Sequence, residues 1–110
     1  MNNRDLVLQY LEYFCSGDIE GLESVLHPEL KLAGPLFTFS SRHSYLESLR
    51  GGLESNTNVE MIDICESEEA IAVFYLYKKQ SGNNIIAQLF RFNVGRIAEI
   101  LLVFDSASVA

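Results

Sequence analysis

The period of the apolar residues changes at Asn58, and that change constrains the fold more than any other feature of the chain. From there to Asp105 the runs 58–66, 69–79, 84–94 and 96–105 follow the alternating period of strands. They are separated by Ser67-Glu68, Ser81-Gly82-Asn83 and Asn93-Val94-Gly95, links suited to antiparallel hairpins. This half of the chain predicts a meander.

The preceding half reads mainly as helix. Leu6, Val7, Tyr10, Leu11, Tyr13 and Phe14 recur at helical spacing and form one wide apolar stripe, and Gly17 stops that helix. Asp18 is placed to cap a second helix whose buried face is Ile19, Leu22, Val25 and Leu26, closed by Pro28. Glu29–Ala33 alternates, Gly34-Pro35 marks a turn, and 36–39 reads as a short strand. Ser41 and Ser44 are capping candidates for a third helix carrying Tyr45, Leu46 and Leu49; Ser44 with Glu47 has capping-box spacing, and Gly51-Gly52 ends the helix. Three helices ahead of a sheet predict an α+β fold, with the helices packed on one face of a curved antiparallel sheet. No repeat, low-complexity segment or linker interrupts residues 1–110, which read as one domain.

Charge and cysteine content narrow the function classes. The formal net charge of −7 repels phosphate backbones and anionic lipid surfaces, so neither nucleic acid nor membrane is an expected partner. Arg42, Arg50, Lys78 and Lys79 are scattered and read as solvated charges. Cys15 and Cys65 lack metal-ligand or CxxC spacing and read as small core residues. His27 reads as a helix-end residue and His43 as a surface residue. No metal site, phosphate loop or cofactor is indicated, and no apolar run approaches a membrane span of about 18 residues. The N-terminus carries charges where a secretory signal needs apolar residues, which makes a cytoplasmic protein the expectation.

The order of elements and several strings resemble the nuclear transport factor 2-like superfamily, which has a cone-shaped, cystatin-like fold, and in particular its SnoaL-like, ketosteroid-isomerase-like branch. The strings are Tyr10–Leu22, Leu26-His27-Pro28-Glu29 and Phe90–Ile97. The resemblance implies an isomerase, a polyketide-cyclase-like enzyme or a dehydratase acting on an apolar carbonyl compound. It equally allows a non-catalytic ligand-binding or homodimerisation domain. Isomerases of this branch use a tyrosine on the first helix, an aspartate base preceding a proline, and a protonated aspartate on a late strand. Tyr10 matches the tyrosine; the base position holds Gly34 before Pro35, and the late acid position holds Gln88. In the cyclases an aspartate near the end of the last strand is the acid/base, and Asp105 resembles it. The resemblance also implies a homodimer built on the sheet, for which Leu89, Leu101 and Val103 are candidates.

Each candidate has a competing structural role. Tyr10 is a core tyrosine or a donor to a ligand carbonyl. Gln88 shares a strand face with Ile86, Phe90 and Phe92, and an amide on an apolar face requires a partner. Asp63 is either a buried carboxylate beside Met61 and Cys65 or a solvated residue opposite a core face of Ile62 and Ile64. Asp105 shares a face with Glu99, Leu101 and Val103, away from Ile100, Leu102 and Phe104, so it reaches a pocket only through a local irregularity. Tyr10, Gln88, Asp105 and Asp63 are thus the candidate catalytic residues. Phe14, Tyr75, Phe90 and Phe104 are the candidate ligand-binding residues for an apolar small molecule.

Overall fold

In the computed structural model, residues 2–107 are described. Helix α1 spans Asn3–Ser16; the side chain of Asn2 accepts from the Asp5 amide at its start, and Gly17 closes it at φ 72°. Helix α2, Ile19–Val25, is capped as expected by Asp18, which accepts from the Gly21 amide at 2.9 Å. Helix α3, Arg42–Leu49, starts at Ser41, whose hydroxyl accepts from the Ser44 amide. Ser44 therefore lies inside the helix, and Glu47 pairs with Arg50 at 2.8 Å instead of closing a capping box.

The strands are β1 (Leu26–Ala33), β2 (Thr38–Phe39), β3 (Asn58–Glu66), β4 (Ala70–Lys79), β5 (Gly82–Asn93) and β6 (Arg96–Val103). They form one curled sheet in the order β2-β1-β6-β5-β4-β3. The meander β3 to β6 is antiparallel as expected, whereas β1 joins β6 in parallel, so the sheet as a whole is mixed. Pro28 does not close α2. The chain enters β1 directly after Val25, and Pro28 sits where the β1–β6 register breaks between Leu26 and Lys31, a place where its missing amide costs no ladder bond. Arg42, expected in solvent, donates to the carbonyls of Glu23 and Leu26 and so ties α3 to the end of α2.

The helices cover one face of the sheet. Val7, Leu22, Leu26, Leu30, Val73, Phe90 and Ile97 are fully buried between the two layers. The other face carries Phe74, Ile85, Leu101 and Val103, all exposed.

A bulge in β3 decides the fate of Asp63. Met61 pairs with Tyr75, Asp63 with Phe74 and Ile64 with Val73, so Ile62 is the extra residue and the facing of all that follows is inverted. Ile64 turns to the core, while Asp63 and Cys65 turn to the outer face. Cys65 is accordingly exposed and not a core residue, and Cys15 is only half-buried.

Candidate functional site

A cavity of about 350 Å³ opens between α1, α3 and the concave side of the sheet. Its walls are mainly apolar and aromatic, with Phe14, Leu32, Phe37, Ile86, Leu102 and Phe104 among them. Its polar groups come from Tyr10, Tyr45, Tyr75, Tyr77, Asn84 and Gln88, and Lys79 supplies one charge.

The inner polar end holds two buried hydrogen-bonded pairs. Tyr10 projects from the apolar stripe of α1, stacked on Phe14 at 6.2 Å and edge-on to Phe90 at 5.5 Å. Its hydroxyl lies 2.6 Å from that of Tyr45 on α3. On the sheet, the Tyr75 hydroxyl donates to Gln88 Oε1 at 2.7 Å. That bond occupies the Gln88 carbonyl oxygen, and the Gln88 side chain also partly offsets the upward shift of the Tyr10 phenol. Gln88 is 5% exposed, so these contacts offset the cost of burying its amide.

Burial governs the acidity of the phenols. It pushes Tyr10 up to about 12, with the hydrogen bonds from Tyr45 and Gln88 pulling partly back. Tyr45 and Tyr75 are held well above their usual value, first by burial and then by the neighbouring phenols. Tyr77 is raised first by burial and also by Cys15 and Glu54, offset in part by Thr57. At neutral pH the site is therefore a set of neutral O–H and N–H donors. The proton between Tyr10 and Tyr45 can sit on either oxygen; when Tyr45 donates, the Tyr10 proton is left to donate to a ligand oxygen.

The expected residues divide clearly. Tyr10, Gln88, Phe14, Tyr75 and Phe104 come together around the cavity. Phe90 does not line it; the ring is fully buried behind Tyr10 and supports it from below. Asp63 faces the opposite side of the sheet because of the β3 bulge, and its carboxylate accepts from the Ile64 amide. Asp105 is exposed past the end of β6, where it accepts from the Ala107 amide at 3.0 Å. Neither carboxylate lines the cavity, and no irregularity at the end of β6 turns Asp105 inward. Sequence reasoning missed Tyr45 and Lys79. The same-face rule was the available signal for Lys79, which follows Tyr75 and Tyr77 at alternate positions on β4.

No protein-family model matches the sequence, and no curated protein matches it significantly. Solved structures do match. A protein from Cytophaga hutchinsonii described as NTF2-like and of unknown function superposes with a TM-score of 0.87 at 15% identity, covering 99% of this chain and 95% of that one. A candidate ketosteroid isomerase from Kribbella flavida superposes at 0.81 with 11% identity, covering 94% and 77%. An LEH-like epoxide hydrolase from M. tuberculosis superposes at 0.79 with 16% identity, covering 94% and 82%. The chain has the nuclear transport factor 2-like fold that its sequence resembles. At such identities the likeness extends to the fold and not to the chemistry.

Proposed function

We propose that this protein binds a small apolar carbonyl compound, with the carbonyl oxygen held by Tyr10 and Gln88. The observation that carries the reading is the two buried hydrogen-bonded pairs, Tyr10–Tyr45 and Tyr75–Gln88, at the inner end of an otherwise apolar cavity. Few convergent polar groups in an apolar pocket of this size are what orients a ligand by one functional group. Neutral donors in a site that excludes water polarise a carbonyl strongly and cost no reorganisation. Titration with 2-acetylnaphthalene, read by the infrared carbonyl stretch, tests this. A shift to lower frequency in the parent protein that disappears in Tyr10→Phe and Gln88→Leu is the expected result; a stretch equal to that in buffer overturns it.

Catalysis of the isomerase, cyclase or dehydratase type is the second reading. It is favoured by the donors converging on one point, and by fold neighbours described as a candidate ketosteroid isomerase and an epoxide hydrolase. Polarising a carbonyl acidifies its α-carbon, but no carboxylate or imidazole is among the described residues that line the cavity. In this reading the proton acceptor is a water or a group on the substrate itself. Exchange of the α-protons of 2-acetylnaphthalene for deuterium faster than in buffer supports it, and exchange at the buffer rate removes it.

A homodimer through the outer sheet face belongs to the same proposal. Phe74, Ala87 and Val103 stand in one cross-strand row, and Ala72, Leu89 and Leu101 in the next. With Ile85 66% exposed alongside, the rows make a contiguous apolar surface of the kind that a partner subunit covers. No helix among the described residues is long and apolar enough to cross a membrane.

A further inference from the structure

We infer that the ligand of this cavity is an organic anion, its acidic group held at the mouth by Lys79 while a neutral oxygen at its other end meets Tyr10 and Gln88. The inference rests on the cavity being the binding site.

Val73, Tyr75, Tyr77 and Lys79 present alternate side chains to one face of β4, opposite Gln88, Ile86, Asn84 and Gly82 of β5. The cavity runs along this pair of strands. Gln88 marks its inner end, and Lys79 stands six residues further along β4, about 20 Å away at the Cα level at roughly 3.4 Å per residue. Between them lie Tyr75, Ile86, Tyr77 and Asn84, none of them charged at neutral pH.

The two adjacent lysines have different environments. Lys78 points to the outer face and pairs with Glu60 at 2.8 Å. Lys79 is half-buried, lines the cavity, and among the described residues engages no carboxylate. Among the described residues it is the one charged side chain in the cavity lining, in a chain whose formal net charge is −7. An ammonium at the edge of an apolar cavity, without an internal counter-ion, gains most from an anion that arrives with the ligand. Gly82, directly opposite Lys79, is exposed and has no side chain, so β5 places no side chain against the ammonium at that register position. The preferred ligand is therefore a rigid, ring-based compound with a carboxylate at one end and a carbonyl or hydroxyl oxygen at the other.

A matched pair of probes tests this: 6-hydroxy-2-naphthoate and its uncharged carboxamide. Affinity is read by calorimetry and location by the side-chain amide resonance of Gln88. The carboxylate is expected to bind the parent protein about tenfold more tightly than the carboxamide, with a preference that shrinks as salt is raised. Lys79→Gln should bring the two within about twofold, whereas Gln88→Leu should weaken both alike. A carboxylate preference that survives in Lys79→Gln, or no preference in the parent protein, overturns the role of Lys79 while a shifted Gln88 resonance keeps the cavity as the binding site. Binding that leaves the Gln88 resonance unmoved, or no binding of either probe, overturns both.

Discussion

The Tyr75 hydroxyl donates to Gln88 Oε1 at 2.7 Å, although the two residues are diagonal and not direct neighbours: Tyr75 pairs with Ile86, and Gln88 with Val73. An aromatic side chain spans that diagonal, which lets one strand orient the amide of the next. Removing either partner strands the other in a buried site. Gln88→Leu is expected to destabilise the protein by about 1–3 kcal/mol. The Tyr75→Phe/Gln88→Leu double variant should cost less than the sum of the singles, as urea unfolding would show. Additive losses would mean that the two residues are not coupled.

The raised phenols set a limit at high pH. Their folded-state values lie above the unfolded value of about 10, so the stability they contribute is complete below pH ~10 and is lost as pH rises through the folded values. Tyr10, pushed up to about 12, loses its share between about pH 10 and 12. Stability measured at increasing pH should fall over that interval in the parent protein and less steeply in Tyr10→Phe. The phenolate absorbance of Tyr45 and Tyr75 should appear only on unfolding, and that of Tyr10 not before about pH 12; ordinary titration near pH 10 in the folded state would contradict their burial.

Asp63 and Asp105 lie away from the cavity, so their charges should not reach a ligand in it. Asp63→Asn and Asp105→Asn are each expected to leave the affinity for 2-acetylnaphthalene within about twofold, since both carboxylates are exposed and screened. A tenfold change in either variant would place that residue at the site.

Leu101 and Phe74, 48% and 41% exposed, sit in neighbouring rows of the outer sheet face. Leu101→Lys and Phe74→Glu should convert the proposed dimer to monomer in sedimentation experiments, while carbonyl binding persists. A parent protein already monomeric at high concentration would remove the dimer.

The Val94–Gly95 turn carries positive φ at both positions, 51° and 72°. This is the two-residue hairpin geometry that matches the sheet twist, but a β-branched residue fits its first position poorly. Val94 is 88% exposed and gains no packing in return. Val94→Asn should therefore stabilise the protein by about 1 kcal/mol, seen as a higher Tm. A lower Tm would mean that the valine makes a contact worth more than its strain.

Much of the fold was legible because it is written in local periods. Gly17, Asp18, Ser41 and Gly95 mark element ends through backbone chemistry that needs no distant partner. The alternation after Asn58 set the β4–β6 facing well enough to turn Tyr75, Gln88 and Phe104 toward one space and Asp105 away from it. The bulge at Ile62 was not legible: Met61, Ile62 and Ile64 are all apolar, so composition cannot say which of them is the extra residue. That one residue decides whether Asp63 is buried or solvated.

By itself the sequence determined the order of elements, the hairpin turns, and a tyrosine and a glutamine on apolar faces that required partners. Tertiary structure decided who those partners are. Tyr45 on α3 meets Tyr10 on α1 across 35 residues of chain, and Lys79 turns into the cavity while Lys78 turns out. The physical reason is range. Caps and alternation act within a few residues, whereas a hydrogen-bond network closes only when helix packing, strand register and bulges bring distant side chains within 3 Å of one another.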